Sequence, residues 1–334
     1  MPPSLLWYDL ETFGLDPHYD RIVQVAALRT DESFELMGER IVLYCRPSLD
    51  YLPSPYSCLV HGITPQFALS EGLGEYELAK RLQAEMSVPG TTVLGFNSLR
   101  FDDEFIRNLF YRNFFDPYGR EWRNGNTRWD VIDLMRAARD LRPEGIIWPT
   151  DDEGRPLFTL GALAKANGIA HDAAHDAMYD VLATIGLAKL VRSRQAKLFD
   201  WYFSHRTRES LKSLIDLTDR TPLLHTSVSY TSSRGCTTVV APIAMDPEDR
   251  NRLIALDLRF DPSSIVDLGV EELRRRVFTK GSELEVERLP LVSIRLNRCP
   301  FLSPLGALKP EAAARLGIDL DTCRAHLAAI KGET

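Results

Sequence analysis

The sequence predicts a mixed α/β domain over residues 1–195, followed by a smaller β-rich domain over residues 196–334. Three observations carry this reading. Apolar, β-branched runs come first, at 5–12, 21–30 and 40–45, joined by short links. From residue 74 to residue 194, stretches with 3.6-residue apolar spacing alternate with a short strand-like run at 91–97. Beyond residue 195, short β-like runs recur between turns rich in Pro, Asp and Gly.

Residues 5–14 (Leu-Leu-Trp-Tyr-Asp-Leu-Glu-Thr-Phe-Gly) read as a buried strand that runs into a glycine turn. The next two runs complete an antiparallel meander, with Gly38 in the link and Arg46-Pro47 at the end. A loop rich in Pro, Ser and Tyr then leads to His61-Gly62-Ile63-Thr64-Pro65. The spacing predicts a helix over 74–86, with Leu78, Leu82 and Met86 on one side and Pro89-Gly90 as its stop. After the strand at 91–97, a helix is predicted over 105–115. Asp102, Asp103 and Glu104 open it, where acids favour the helix dipole, and Asp116-Pro117 closes it. Phe110 and Phe114 fall on its apolar spacing and read as core. Further helices are predicted over 129–141, 160–167 and from about 175 to 194. In the second domain a basic helical stretch over 197–217 precedes strands at 237–241, 253–258 and 291–296, with a helix near 270–277.

The 334 residues are 44% hydrophobic and 26% charged, as in soluble globular proteins, and the length suits two domains. The N-terminus has no basic region before its short apolar run, so a signal peptide is not expected, nor is any stretch long enough for a membrane span. Five scattered cysteines form no Cys-x-x-Cys pair, which argues against a disulfide framework or zinc site and fits a reducing cytoplasm. A monomer is expected. The net charge of −7 does not advertise a nucleic-acid binder. It does not exclude one, since a local basic groove and bound metals outweigh the sum.

Two carboxylates interrupt the first strand. Side chains at i and i+2 share a face, so Asp9 and Glu11 aim at one spot. Two like charges on a buried face repel, and a hard divalent cation with oxygen ligands is the common remedy. Asp102 follows at a helix entry, and Asp180 lies in the first turns of a late helix. His175 stands five residues before Asp180. On a helix that offset does not share a face, so the histidine belongs to the preceding loop or first turn.

The order Asp-x-Glu, Asp, His-x-x-x-x-Asp resembles the DEDD exonuclease superfamily in its histidine-containing branch. Longer strings are similar to bacterial exodeoxyribonuclease I: Asp9-Leu-Glu-Thr-Phe-Gly14, His61-Gly-Ile-Thr-Pro65, Gly95-Phe-Asn-Ser-Leu-Arg-Phe-Asp-Asp-Glu104, Arg128-Trp-Asp130, Leu141-Arg-Pro-Glu-Gly145, Lys165-Ala-Asn-Gly-Ile169 and Ala174-His-Asp-Ala-Met178. Val240-Ala-Pro242 and Arg315-Leu-Gly-Ile318 extend the likeness into the second domain. The resemblance implies a ribonuclease-H-like exonuclease domain and then an SH3-like domain. The family carries a further helical region beyond that point, whereas this sequence stops at Thr334, which bears on processivity more than on chemistry.

The activity it implies is metal-dependent 3′→5′ hydrolysis of single-stranded DNA to 5′-mononucleotides. Asp9, Glu11, Asp102 and Asp180 would hold two Mg²⁺ or Mn²⁺ ions, and His175 would act as general base. Only the family pattern selects Asp102 over Asp103. Asp176 is either a partner supporting the acids or an N-cap. Among substrate contacts, Glu11 would touch the terminal 3′-hydroxyl, with Thr12 beside it. Phe13 would wedge against the terminal base, and His61 and Phe158 would contact the last nucleotides. Tyr118 and Trp122, with Arg123, lie past a helix end where exposed rings serve as stacking platforms. Arg107 is a phosphate contact or part of a solvated face. Arg192, Arg194, Lys197, Arg206, Arg208 and Lys212 line a groove or form a solvated face. The expected partners are single-stranded DNA and the acidic, apolar C-terminal tail of single-stranded DNA-binding protein. Two other readings stay open: a 3′→5′ exoribonuclease of the same superfamily, since the acids are indifferent to a 2′-hydroxyl, and a non-catalytic nucleic-acid-binding module.

Overall fold

The computed structural model describes residues 3–170, 176–230, 235–266, 268–279, 283–284, 286 and 289–332. The chain divides into two compact units. One comprises Met1–Met135 with Glu144–Asp200, and the other Arg136–Pro143 with Trp201–Thr334.

Among the described residues, the first unit contains strands β1 (Ser4–Thr12), β2 (Ile22–Thr30), β3 (Ile41–Tyr44), β4 (Thr91–Gly95) and β5 (Thr127–Asp130). Its helices are α1 (Pro55–His61), α2 (Pro65–Glu71), α3 (Glu75–Met86), α4 (Asp102–Arg112), α6 (Leu160–Ala166) and α7 (Ala177–Arg194), while α5 (Val131–Leu141) and α8 (Ala196–Ser204) run on into the second unit. The sheet order is β3-β2-β1-β4-β5. The meander β1–β2–β3 is antiparallel, as its short links require, whereas β4 and β5 add in parallel after crossovers. This is the mixed α/β sheet that the sequence implied.

Alternation along β1 decides what lies where. Leu6, Tyr8 and Leu10 enter a core with Leu78, Leu82 and Met86 of α3 and Phe105, Ile106, Leu109 and Phe110 of α4. Residues of the other parity turn to the opposite face, where α7 packs across β1 and β2.

Three local expectations are corrected. Trp129 and Asp130 do not open a helix: they end β5, paired with Leu94 and Gly95, and the helix begins at Val131. The apolar spacing runs unbroken across that junction and hides it. The Pro-rich loop before His61 is in fact helical. Proline at the first helical positions of α1 and α2 starts each helix, and Ser54 and Thr64 cap them. Phe114 is not core but 99% exposed, because α4 stops at Arg112 and the chain turns left-handed there, at φ 60°.

The second unit contains β6 (Leu223–Thr226), β7 (Thr237–Met245), β8 (Arg252–Asp257), β9 (Leu291–Arg295) and β10 (Phe301–Pro304), with helices α9 (Arg208–Lys212), α10 (Ser263–Val266), α11 (Val270–Phe278), α12 (Pro310–Leu316) and α13 (Leu320–Lys331). Its sheet order is β10-β6-β7-β8-β9, antiparallel throughout, over a core of Leu223, Val240, Leu253, Ala255, Ile294, Leu296 and Leu302.

Candidate active site

Asp9 and Glu11 lie near the carboxyl end of β1 and are half-buried between buried Tyr8, Leu10 and Thr12. Asp180, in the first turn of α7, comes to the same place. One carboxylate oxygen from each of Asp9, Glu11 and Asp180 lies within 4.8 Å of the other two. Asp102 is the first residue of α4 and is buried. It stands near enough to raise Asp9 electrostatically without joining that trio.

The charges are strongly disfavoured as they stand. Burial, followed by the negative neighbours Asp102, Asp180 and Glu11, pushes the Asp9 carboxyl well above its usual range. Burial, then Asp180 and Asp176, pushes Glu11 up to about 8. Asp102 also rises, chiefly through burial, against backbone hydrogen bonds at its own position and at Leu10. Acids crowded in a poorly solvated place, offering only oxygen donors, fit hard divalent cations.

The structure separates Asp102 from Asp103. Asp103 points into the core, where Tyr8 Oη donates to it at 2.8 Å, Arg120 at 2.6 Å and Arg128 at 2.5 Å. Against the cost of burial, the two guanidinium charges hold Asp103 well below the usual carboxylate range. Asp103 is therefore an internal counter-ion and Asp102 faces the acids. Asp176 is the N-cap of α7, accepting from the Met178 N–H at 2.9 Å, and its charge also reaches Glu11. His175 lies outside the described residues.

The expected substrate contacts fare unequally. Phe13 is fully buried with Val23, Ala68, Tyr51 and Ile63, so its ring is a core residue and presents no face for a base. Thr12 is 7% exposed and its hydroxyl donates to the Gly14 carbonyl at 2.7 Å. His61 ends α1, its Nδ1 accepting from the Ile63 N–H at 3.0 Å and its ring packing near Phe13. Arg107 is not on a solvated face. Its side chain is 12% exposed and donates twice to Glu121 and once to Glu104, which spends its charge internally. Tyr118 and Trp122 are 56% and 64% exposed, each with an arginine over its ring, Arg107 and Arg123 respectively. Phe158 is half-buried just before α6. Of the basic run, Arg192 donates to the Glu32 carbonyl and covers the rings of Phe34 and Phe199, and Arg206 lies over Phe203. Arg120, Arg128 and Asp130 are the supporting residues that sequence reasoning missed. Their partners lie 17 to 33 positions away, and only Arg128-Trp-Asp130 stood out as a string.

An exonuclease family model matches residues 6–188, and the Exonuclease I SH3-like domain model matches residues 206–334. Exodeoxyribonuclease I of Escherichia coli K12 is 47% identical over 325 residues, spanning 97% of this chain and 68% of that protein. The chain belongs to the exodeoxyribonuclease I family. It is accordingly a nuclease hydrolase, with an exonuclease domain followed by an SH3-like domain. Among solved structures, the zinc-bound form of the E. coli exonuclease I complex with single-stranded DNA matches with a TM-score of 0.95 at 46% identity, covering 99% of this chain and 71% of that one. A complex of exonuclease I with the single-stranded DNA-binding protein C-terminus matches equally, with a TM-score of 0.95 at 46% identity, covering 99% and 72%. Among the described residues no helix is long and apolar enough to cross a membrane.

Proposed function

We propose that this exodeoxyribonuclease I family member hydrolyses single-stranded DNA from its 3′ end, releasing 5′-mononucleotides, with Mg²⁺ or Mn²⁺, two ions per site. The convergence of Asp9, Glu11 and Asp180 within 4.8 Å, with Asp102 beside them, carries the reading. The likeness to a DNA-bound, metal-bound relative supports DNA over RNA and catalysis over mere binding.

Divalent cations, when bound, would neutralise charge at the scissile phosphate and lower the pKa of the attacking water. Asp9, Glu11 and Asp180, with Asp102 beside them, would hold these ions. Glu11, with the longer side chain, reaches the terminal 3′-hydroxyl and fixes the register of the last nucleotide. His175 would take the proton of the attacking water as the new P–O bond forms and the P–O3′ bond breaks, and a solvent water would protonate the departing O3′. Tyr118 and Trp122 offer stacking surfaces for bases further from the end. The acidic, apolar C-terminal tail of single-stranded DNA-binding protein is a further expected partner, a reading supported by the matching complex of exonuclease I with that tail. The gap between the two family models, which match residues 6–188 and 206–334, supports a domain boundary near residue 195.

The test is hydrolysis of a 5′-labelled single-stranded DNA oligonucleotide with Mg²⁺, with EDTA, and with Asp9→Ala, alongside duplex DNA and RNA. A ladder shortening from the 3′ end, only with metal and only in the unaltered protein, is expected. Cleavage of RNA alone would overturn the substrate, and binding without cleavage would overturn the catalysis.

A further inference from the structure

We infer that Asp130 is a positioning residue for the reaction, holding the turn that delivers Asp102 to the metal-binding acids. The inference rests on the reading of Asp102 as a ligand. Asp130 is the last residue of β5 and is 2% exposed. Its register partner on the neighbouring strand is Gly95, the last residue of β4. From there its carboxylate reaches over the end of β4. Oδ1 accepts from the Asn97 N–H at 2.8 Å, and Oδ2 from the Leu99 N–H at 3.1 Å. Oδ1 also accepts from the Ile132 N–H at 3.0 Å. One buried side chain thus binds three backbone donors from two segments, the β4–α4 turn and the start of α5.

That turn needs such a hold. Asn97 sits in the left-handed region at φ 63°, which side-chain-bearing residues seldom adopt and which asparagine tolerates better than most. Gly95 has no room for a side chain, since a Cβ there would lie 2.7 Å from the Tyr8 carbonyl and 2.9 Å from Ser98 Cβ. The turn is therefore pressed against β1 and bent sharply within five residues of Asp102. Its far end passes straight into α4, where the Asp103 N–H donates to the Ser98 carbonyl at 2.9 Å. Asp133, in the first turn of α5, pairs with Arg100 at 3.3 Å and fastens the same β4–α4 turn. Asp102 is thus fixed from two directions: Asp103 anchors α4 inward through Arg120 and Arg128, and Asp130 sets where the helix begins. Groups that orient ligands without touching the metal or substrate typically govern metal affinity and rate by about 10–100-fold.

The test compares Asp130→Asn and Asp130→Ala with Asp102→Asn in the full chain. Asparagine keeps one acceptor oxygen and loses the other, so it should act more mildly than alanine. The expected result is a kcat lower by about 10–100-fold for alanine and less for asparagine. KM for single-stranded DNA should change by less than about twofold, Mn²⁺ binding measured by calorimetry should weaken, and part of the rate should return at high Mn²⁺. A thermal shift alone, with kcat and Mn²⁺ affinity retained, would overturn the inference, as would a loss of kcat without weaker Mn²⁺ binding. Should the alanine variant not fold, the asparagine variant decides on the same readouts. An active Asp102→Asn protein would overturn the ligand reading itself. An inactive Asp102→Asn protein beside an unaltered Asp130→Asn protein would overturn only the role of Asp130.

Discussion

Asp102 and Asp103 are neighbours with the same chemistry, and neutralising them should move stability in opposite directions. In Asp103→Asn, Arg120 and Arg128 keep their burial, with side chains 1% and 5% exposed, and lose the carboxylate that lies 2.6 and 2.5 Å from them. Glu121 remains for Arg128 at 2.9 Å but stands 4.0 Å from Arg120. Breaking a buried ion pair from one side typically costs about 3–5 kcal/mol, a large part of an ordinary domain's stability. In Asp102→Asn the lost charge is one that burial and the acids Asp103 and Asp130 disfavour, so the metal-free protein should be unchanged or more stable by about 1 kcal/mol. The signs with pH differ accordingly. The folded-state pKa of Asp103 is depressed, so its contribution is present above the unfolded value of 3.8 and fades as pH falls. The pKa of Asp102 is raised, so its destabilising effect grows as pH rises above 3.8. Urea unfolding in EDTA, followed by tryptophan fluorescence at neutral and acidic pH, reads both. A cost below about 1 kcal/mol for Asp103→Asn, or an equal cost for Asp102→Asn, would refute the separation of roles.

Metal affinity should depend on pH through Glu11, whose pKa is about 8 without metal. Below that value a cation must displace the proton, so Mn²⁺ binding by calorimetry should tighten by up to about tenfold per pH unit as pH rises toward 8, with proton release, and a flat profile would contradict the site. Trp122→Ala should raise KM for single-stranded DNA and leave kcat and thermal stability nearly unchanged, since the ring is 64% exposed and a stacked base is worth about 1–3 kcal/mol. Steady-state kinetics on oligonucleotides checks this, and an unchanged KM removes the ring from the DNA path. Phe13→Ala should instead cost about 3–5 kcal/mol of stability, because the ring is fully buried. A selective rise in KM at full stability would return Phe13 to the substrate.

How much of this could be read from the chain varies residue by residue. Asp9 and Glu11 were legible because a strand has period two, and an acid pair in an apolar run is conspicuous. The choice between Asp102 and Asp103 was not, because it depends on Arg120 and Arg128, which approach only once α4 and β5 are packed. The end of β5 was hidden because Trp129 and the apolar positions of α5 continue one periodic pattern through a change of structure. Phe114 carried helical spacing but lay beyond the helix, and Arg107 carried a charge whose partner, Glu121, is fourteen residues on. Local pattern reports the element, and long-range pairing decides the role.

The acids come from β1, α4 and α7, at positions 9, 11, 102 and 180. A chain emerging from the ribosome therefore carries no complete site until α7 has been made and has docked against β1 and β2. Between residues 102 and 180 the growing chain carries three of the four carboxylates without the fourth. The order of the chain thus makes α7, through Asp180, the element that completes the acid set.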